Sequence, residues 1–327
     1  MKQIGRIGQR SVLRFRESLL AWYDSNRRDL PWRKTRDPYR IWISEIMLQQ
    51  TRVAAVLPRY KRFLLKFPSL IQLAEAPIED VLAEWSGLGY YRRARNLHAA
   101  AQVIAFKHAG EFPRTSPELR ELPGIGRYTA AAIASMACNE PVAVLDGNVE
   151  RVLRRLLGIA KSTNESWNSA QEFLDRSRPG EFNQAMMELG ATVCLPARPL
   201  CAECPVRRFC RTRGLGNTHR RKPRQKQVAI GYGLTLRRGA VLMVQRSGTE
   251  SLMPGMWELP RVEKTVSRTE ALFTVRHSIT VTNYVVTVAK QRCVEIEGTK
   301  WIRISRLRSF PLTGLAAKIL RKAKIIQ

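Results

Sequence analysis

The alternation of apolar and polar residues divides the chain into a helical first part and a later part with strands. Up to about Leu189 the apolar residues recur mainly at the three- and four-residue spacing of amphipathic helices, and no stretch shows a convincing strand pattern. The predicted helices cover residues 11–25, 39–50, 94–109, 129–138 and 149–157. The sequence therefore predicts an all-α first domain.

A different pattern begins at about residue 228, where short runs become rich in β-branched and aromatic residues. The predicted strands are residues 228–236, 240–246, 272–275, 283–289 and 300–304, followed by an amphipathic helix at 313–324. This part is therefore predicted to be an α+β domain. It contains His277 as its one histidine, no aspartate and scattered glutamates, which argues against a catalytic centre of its own.

Composition and charge indicate the kind of partner. The chain has 327 residues, enough for about two domains at roughly 150 residues each. Its 56 Lys and Arg against 27 Asp and Glu leave a net charge of +29, which favours a polyanionic partner, with nucleic acid ahead of a membrane. The sequence has no apolar run of the ~20 residues that a spanning helix needs, and its basic N-terminus lacks the apolar core of a secretion signal. We therefore expect a cytoplasmic protein.

A basic stretch separates the two parts of the chain. No acidic residue occurs between Glu203 and Glu250, while Arg and Lys accumulate, most densely over residues 207–226. Such a run is either a plain solvated linker or a source of phosphate contacts. The predicted division is a helical domain at residues 1–213, a basic linker at 214–227 and a C-terminal domain at 228–327.

The helix predicted at residues 39–50 carries a carboxyl group among apolar neighbours. Ile41, Trp42, Ile43 and Ile46 leave this helix almost no polar face, and Glu45 lies in the middle of it. Burial disfavours the anion, so we expect a raised pKa for Glu45 and a proton retained near neutral pH, as a general acid requires. The alternative is a Glu45 at the rim, paired with an arginine.

A second carboxyl group has the opposite environment. Asp146 precedes the helical pattern 149–157, where unpaired N–H groups and the helix dipole stabilise an anion. Two carboxyl groups in opposite protonation states can serve as acid and cation stabiliser in the cleavage of a glycosidic bond. The alternative is that Asp146 is simply a helix N-cap.

Two glycine-containing segments are candidates for contact with nucleic acid. In Leu122-Pro123-Gly124-Ile125-Gly126 the turn between two helices leaves backbone N–H groups at a helix start, a natural seat for phosphate. The segment 87–93, Gly-Leu-Gly-Tyr-Tyr-Arg-Arg, combines glycines, an apolar side chain and aromatics beside arginines, which suits insertion into a base stack. Either segment can also be an ordinary glycine turn.

Four cysteines form a compact array, Cys194-x6-Cys201-x2-Cys204-x5-Cys210. Disulfides rarely persist in the cytoplasm, so the array indicates metal ligation. The uneven gaps suit a [4Fe–4S] cluster, whose ligands are thiolates. A structural zinc site is the competing interpretation, although paired C-x2-C knuckles are more typical of it.

Together these segments resemble the MutY family of adenine DNA glycosylases, within the endonuclease III-like helix-hairpin-helix superfamily. The resemblance runs over nearly the whole chain. It is carried by residues 42–51 (WISEIMLQQT), 87–91 (GLGYY), 122–129 (LPGIGRYT), 145–149 (LDGNV) and the cysteine array. It implies a monomer that binds duplex DNA containing 8-oxoguanine:adenine or guanine:adenine mispairs, extrudes the adenine and hydrolyses its N-glycosidic bond.

The resemblance also implies roles for individual residues. Glu45 matches the catalytic acid and Asp146 the carboxylate that stabilises the sugar cation, while Tyr128 and Asn148 match residues that orient them. The matching DNA contacts are Gln50, Leu88 and Tyr90 around the oxidised guanine and Gly124, Gly126 and Arg127 in the hairpin. The [4Fe–4S] cluster is expected to shape a DNA-binding loop. The lyase branch of the superfamily has a lysine at the position of Tyr128, so we expect a monofunctional glycosylase.

The C-terminal part resembles the family's Nudix-like domain through residues 253–260 (MPGMWELP), and it lacks the glutamate cluster of a hydrolytic Nudix box. The family's His-x-Phe-Ser-His is replaced by His277-Ser278-Ile279-Thr280-Val281, so 8-oxoguanine recognition is either weaker or supplied by neighbours such as Thr282 and Asn283. Two alternatives remain: a thymine or uracil mismatch glycosylase of the same superfamily, and a DNA-binding protein without catalysis.

Overall fold

The structure is a computed structural model that describes residues 8–158, 163–213, 226–250, 252–262, 271–279, 282–290 and 298–326. Its α-helices are α1 (Gln9–Asn26), α2 (Pro38–Leu48), α3 (Val53–Lys66), α4 (Leu70–Glu75), α5 (Ile78–Glu84), α6 (Arg92–Lys107), α7 (Ser116–Leu119), α8 (Arg127–Cys138), α9 (Gly147–Leu157), α10 (Thr163–Phe173), α11 (Pro179–Thr192) and α12 (Gly314–Lys322). Its strands are β1 (Lys226–Leu234), β2 (Leu236–Arg237), β3 (Ala240–Gln245), β4 (Trp257–Glu258), β5 (Arg261–Val262), β6 (Ala271–Ile279), β7 (Thr282–Lys290) and β8 (Thr299–Arg303). The described part of the chain is thus helical up to residue 213 and α+β from residue 226.

Contacts group the structure into two compact units. The first draws on residues 1–50 and 103–220, and the second on residues 51–102 and 221–327. Helices α3 to α5 therefore share a unit with the C-terminal strands. The predicted domain boundaries at 213 and 228 stay a prediction, because residues 214–225 of the proposed linker lie outside the described residues.

The first unit is built around the apolar face of α1. Phe15 of this helix is fully buried and meets Phe173 of α10 edge to face, with 4.9 Å between the ring centroids. Helix α8 carries mostly small side chains on its buried face, which includes Ala130, Ala131, Ala132 and Ala134. Small side chains allow neighbouring backbones to approach closely and define where α8 packs.

Gly180 shows how close this approach is. A Cβ atom added at Gly180 of α11 would lie 2.7 Å from the Ser135 carbonyl oxygen and 2.8 Å from Met136 Cα of α8. These are backbone atoms, which cannot move aside cheaply. The glycine therefore sets the distance between α8 and α11.

A buried ion cluster lies under the same helices. The Glu188 side chain of α11 is 0% exposed and accepts hydrogen bonds from Arg28 (2.6 Å) and Arg33 (2.7 Å). Burial by itself raises the pKa of Glu188, but these hydrogen bonds and the charge of Arg33 lower it to about 2. Glu188 thus stays ionised in the interior because two guanidinium groups compensate its lost hydration.

The second unit combines short helices with two sheets. Phe63 of α3 packs edge to face on Trp85, which follows α5, with 6.1 Å between the ring centroids. One sheet has the order β5-β1-β7-β6, and the other has β2-β3-β4 with β8 paired to β3. Strands β1 and β7 run parallel, in a register that pairs Ile230 with Val286. The core formed by the strands and α12 is mainly aliphatic, with Val286, Val288 and Leu320, and also contains Tyr232 and Trp257.

The structure confirms the predicted change from helices to an α+β part and adds elements that the pattern did not show. Strands β4 and β5 have two residues each, too short for an alternation to be visible in the sequence. The strand predicted at 272–275 is longer and runs over Ala271–Ile279.

Among the described residues, each helix is too short or too polar to cross a bilayer.

Candidate active site

Helix α2 holds Glu45 in an apolar environment. The helix starts at Pro38 after Asp37, whose side chain caps it by accepting a hydrogen bond from the Tyr39 N–H at 2.9 Å. Its buried residues run from Ile41 to Met47, and Glu45 among them is 5% exposed. The alternative of a Glu45 at the rim that pairs with an arginine is therefore wrong.

A phenol is the hydrogen-bond partner of Glu45. The Tyr128 hydroxyl donates to Glu45 Oε2 at 2.9 Å and also lies 3.2 Å from Met187 Sδ. Burial raises the pKa of Glu45 to about 7, with a further increase from the negative charge of Asp146, while the Tyr128 hydrogen bond and Arg33 act in the opposite direction. Burial and the charge of Glu45 also raise the pKa of Tyr128, so the phenol stays a donor.

Asp146 is the N-cap of α9 and is held by three hydrogen bonds. Its Oδ1 accepts from the backbone N–H groups of Asn148 (2.9 Å) and Val149 (2.7 Å), and its Oδ2 accepts from Asn148 Nδ2 (2.8 Å). Asp146 is thus a helix N-cap, and its role as a cation stabiliser stays a prediction that the cap does not oppose. Its charge acts on Glu45 and Tyr128, so the structure brings the four predicted catalytic residues together.

Arg151 connects Asn148, the partner of Asp146, to Cys194 through hydrogen bonds. Its Nη2 donates to Asn148 Oδ1 (2.8 Å) and to the Gly190 carbonyl (2.7 Å), and its Nε donates to the Cys194 carbonyl (2.9 Å). Arg151 was not among the predicted site residues, although its position three residues after Asn148 on α9 places both on one helix face. The orientation of Asn148 thus depends on the segment that carries the cysteines.

Gly190 of α11 packs closely against Asn148. A Cβ atom at this position would lie 2.6 Å from Asn148 Cβ and 3.1 Å from Asn148 Cα. The sequence carries a signal for it, because a glycine inside a helical pattern often marks close packing. The other missed residue, Met187, gives no such signal, since a methionine on an apolar face is ordinary core.

The hairpin joins α7 to α8, as predicted. Thr115 and Glu118 form a capping box at α7, and the buried Leu122 and Ile125 anchor the turn. Gly124 has φ +75°, a conformation that favours glycine, and exposed Gly126 is the N-cap of α8 with open space where a Cβ would be. The exposed N–H groups at this helix start are available to an anion.

The remaining predicted DNA contacts fall in both units. In the first unit, Arg127 stacks on Trp167, with its guanidinium carbon 3.9 Å from the ring centroid, and Gln50 is exposed with φ +55°. In the second unit, Tyr90 is 47% exposed with φ +48°, whereas Leu88 is buried, with 5% exposed. Tyr90 is therefore the more accessible of the two side chains in its loop.

All four cysteines line one cavity, together with apolar residues that include Leu156, Leu189 and Val206. The cavity is framed by α9, α11 and the segment after them. Arg155 Nη1 donates to Cys194 Sγ at 3.3 Å. Burial raises the pKa of Cys204 to about 11, and the charges of Cys194, Cys210 and Cys201 add to the shift, so the four sulfurs lie near one another.

A model of a known protein family matches part of the helical region. Residues 43–176 match the model of the HhH-GPD superfamily base excision DNA repair proteins. The chain is similar to this superfamily over the matched residues. The HhH-GPD segment contains Glu45, the hairpin and Asp146, so the predicted helical fold is confirmed.

Three curated relatives are adenine DNA glycosylases. The mouse protein is 49% identical over 61% of this chain and 42% of its own length. The protein of Arabidopsis thaliana is 39% identical over 76% of this chain and 47% of its own, and that of Buchnera aphidicola subsp. Acyrthosiphon pisum is 43% identical over 60% and 58%. The chain thus spans about half the length of the curated relatives it matches.

Two solved structures share the HhH-GPD fold. A thermostable thymine-DNA glycosylase superposes with a TM-score of 0.58 at 29% identity, over 62% of this chain and 96% of that one. A trapped covalent complex of endonuclease III with DNA gives 0.56 at 25% identity, over 64% and 98%. Both likenesses cover nearly all of the neighbour and about two thirds of this chain.

Glu45 should make the stability of the protein depend on pH. Its pKa of about 7 in the fold lies above the ordinary value of a glutamate, so the folded state binds its proton more tightly than the unfolded state. The stabilisation is present below the unfolded pKa and is lost as pH rises through 7. Between pH 5 and pH 8 we expect a loss of about 2–3 kcal/mol from this group, measured by urea unfolding.

Glu45→Gln is the control for this pH dependence, because glutamine keeps the shape of the side chain and does not titrate. The variant should lack this part of the pH dependence and should exceed the wild type in stability at pH 8. Parallel stability curves for the two proteins from pH 5 to pH 8 would show that Glu45 is an ordinary, low-pKa carboxylate.

Gly190→Ala should destabilise the protein by about 1–2 kcal/mol, because the added methyl group overlaps Asn148. This cost has to exceed the gain in helix propensity of up to about 1 kcal/mol. The matched control is Gly147→Ala at the start of α9, where a Cβ meets no atom within 4 Å. Thermal or urea unfolding measures both, and a Gly190→Ala protein as stable as wild type would contradict the close packing.

Proposed function

We propose that this protein is a monofunctional adenine DNA glycosylase, which hydrolyses the N-glycosidic bond of adenine opposite 8-oxoguanine or guanine in duplex DNA and leaves an abasic site. The observation that carries the proposal is the pair of carboxyl groups. Glu45 has a pKa of about 7 and lies beside a phenol, and Asp146 caps α9 by accepting hydrogen bonds from its first N–H groups. The curated relatives named adenine DNA glycosylase support the choice of base.

In the proposed reaction the extruded adenine leaves with the electrons of the C–N bond, and the Glu45 proton passes to the purine ring. The sugar then carries the positive charge of an oxocarbenium ion. Asp146 stabilises this cation, and its hydrogen bonds from Asn148 and Val149 hold the carboxylate in place while the charge develops. Water adds to the sugar, and Glu45, now an anion, accepts the proton of the water.

Tyr128 has two roles in the proposed reaction. As a donor to Glu45 it orients the acid, and as a phenol it offers no amine for a Schiff base with the abasic sugar. The DNA would be held by the N–H groups at Gly124 and Gly126 and by Arg127, with Gln50, Leu88 and Tyr90 around the opposite base. The positive net charge of +29 would draw the duplex to the protein.

The cysteine cavity fits a [4Fe–4S] cluster, with Cys194, Cys201, Cys204 and Cys210 as ligands. When bound, the cluster would supply a structural centre that fixes the loop between the cysteines. The competing structural zinc site would need all four sulfurs at about 2.3 Å from one ion, whereas a cluster spreads its ligands over several irons.

The C-terminal sheets are the proposed Nudix-like recognition domain for 8-oxoguanine. Glu258, in the resembling segment, is paired with Arg246 at 2.9 Å and accepts from the Tyr232 hydroxyl at 3.1 Å, so it serves the fold and not a hydrolytic centre. Ser278 is exposed and donates to Asn283 Oδ1 at 2.5 Å on β7. This pair is a candidate for the missing contacts, while Thr280 and Val281 lie outside the described residues.

A thymine or uracil mismatch glycosylase is the second candidate. It is favoured by the structural likeness to a thymine-DNA glycosylase, which covers nearly all of that protein. The identity of 29% is lower than the 39% to 49% found with adenine DNA glycosylases, so adenine is the proposed base.

The deciding experiment is base release under single-turnover conditions. Duplexes with adenine opposite 8-oxoguanine or guanine should lose adenine, and duplexes with thymine or uracil opposite guanine should keep their base. The rate should fall as pH rises through about 7, because Glu45 loses its proton. Release of thymine or uracil with adenine retained would replace the proposal by the second candidate.

Two controls accompany this assay. Glu45→Gln should lower the rate by at least about 100-fold, because it removes a positioned general acid. Borohydride should trap no strong covalent complex with the abasic duplex, since Tyr128 cannot form the imine that it reduces. A Glu45→Gln protein with full activity would mean that the protein uses another acid.

Metal analysis tests the cluster. Anaerobically purified protein should contain about four iron and four sulfide per chain, and replacement of Cys204 by Ser should lower the iron content. The variant Cys138→Ser is the matched control, because Cys138 ends α8 and is absent from the cysteine cavity. About one zinc per chain with no iron would establish the competing site.

A further inference from the structure

The loop Gly87–Tyr91, which we call the wedge loop, has a backbone conformation that its own sequence does not favour. Gly87, Gly89 and the non-glycine Tyr90 all have positive φ values, of +88°, +69° and +48°. A tyrosine in this region is strained, and such residues persist where the surroundings determine their conformation. The neighbours of the wedge loop therefore decide its shape.

One set of restraints comes from the start of α6. Arg93 Nη2 donates to Thr51 Oγ1 (3.1 Å) and to the carbonyls of Leu88 (3.2 Å) and Gly89 (3.1 Å). Its guanidinium also lies over the ring of Tyr90, 5.6 Å from the centroid. Burial lowers the pKa of Arg93 to about 10, which leaves it a cation at neutral pH. This restraint is local to the helices.

A second set comes from the C-terminal sheets. The Tyr91 hydroxyl donates to the Leu312 carbonyl at 3.1 Å, and the Ser86 hydroxyl donates to the same oxygen at 3.3 Å. Tyr91 is 5% exposed, and its hydroxyl also accepts the Gly87 N–H at 3.4 Å. One phenol thus joins the backbone of the wedge loop to a residue more than 200 positions later in the chain.

Leu312 lies in a hydrogen-bonded part of the C-terminal region. It bridges to Trp257 of β4, where the Trp257 N–H donates to the Pro311 carbonyl (2.8 Å) and the Thr313 N–H donates to the Trp257 carbonyl (2.9 Å). Thr313 then caps α12 by accepting from the Ala316 N–H at 3.1 Å. The acceptor of Tyr91 is therefore fixed by a strand and a helix end.

Arg95 makes a separate connection one turn further along α6. Its Nη2 donates to the Pro254 carbonyl at 2.6 Å. The segment around Pro254 is itself held by Arg246, whose Nε donates to the Leu252 carbonyl at 2.9 Å and whose Nη1 pairs with Glu258. The hydrogen bonds of Tyr91 to Leu312 and of Arg95 to Pro254 are thus two separate contacts between the wedge-loop region and the C-terminal region.

We propose that Tyr91 is a positioning residue through which the C-terminal sheets hold the wedge loop in its DNA-engaging conformation. The inference rests on the proposed function in taking the wedge loop as the part that enters the duplex. It assigns the C-terminal region a second task besides recognition of the opposite base: to fix the backbone that presents Tyr90. Ser86 shares the task, because both hydroxyls satisfy one carbonyl.

The shared acceptor makes the test specific. In Tyr91→Phe or Ser86→Ala the Leu312 carbonyl keeps one donor, whereas the double variant leaves a carbonyl without either hydroxyl. We expect duplex affinity to fall about 2–5-fold in each single variant and more than the product of the two in the double variant. The single-turnover rate at saturating protein should stay within about 2-fold of wild type, since the acid and carboxylate are untouched.

Hydrogen exchange of the free protein gives a readout independent of activity. The double variant should exchange faster both in residues 86–91 and in residues 311–316, because the contact restrains both ends. The matched control is Tyr23→Phe, which removes a buried hydroxyl bonded to Gln184 in the first unit and should change neither segment.

The outcomes separate the inference from the proposed function. Additive losses of affinity, faster exchange confined to residues 86–91, or a fall of the saturating rate in step with affinity would each overturn the positioning role of Tyr91. If wild type releases no adenine, the proposed function fails, while the exchange of residues 86–91 and 311–316 still decides whether the contact holds the loop.

Discussion

The candidate active site depends on the burial of one carboxyl group, that of Glu45, with the Tyr128 hydroxyl as its hydrogen-bond partner. Two glutamates are buried in the first unit, and they differ in what surrounds them. Glu188 has two guanidinium groups and remains an anion. At Glu45, burial and the nearby carboxylate of Asp146 favour the proton and outweigh the opposite effect of the Tyr128 hydrogen bond. The same side chain is thus an anion in one place and keeps its proton up to about pH 7 in the other.

The second requirement is that three helix segments meet without large side chains between them. Tyr128 comes from the start of α8, Asp146 caps α9, and α11 approaches both helices through glycines. Gly180 sets its distance to α8, and Gly190 sets its distance to Asn148. Arg151 then ties Asn148 to the Cys194 carbonyl, so the geometry of the carboxylate and that of the cysteine segment are set together.

Much of this site could be predicted because its signals are local. Glu45 stands out as the one acidic residue in a mostly apolar helix, Asp146 directly precedes a helix, and the cysteines are close in sequence. Arg151 and Met187 could not be found in the same way, since their importance comes from contacts with residues about 40 to 60 positions away. Gly190 is visible as a glycine inside a helical pattern, but only the fold shows that Asn148 is the residue it packs on. The burial of Leu88 was missed for the same reason: the loop sequence shows an apolar residue between glycines, and only packing decides whether it faces solvent.

Tyr90 illustrates a conflict between what a backbone prefers and what a side chain is needed for. At φ +48° a glycine or asparagine would relieve the strain, so replacement of the tyrosine is expected to favour the folded state. The same replacement would remove a half-exposed aromatic ring from the surface that is proposed to face DNA. A search for hardier variants by thermal selection alone would therefore tend to discard this side chain, and such libraries should be screened for DNA affinity alongside heat resistance.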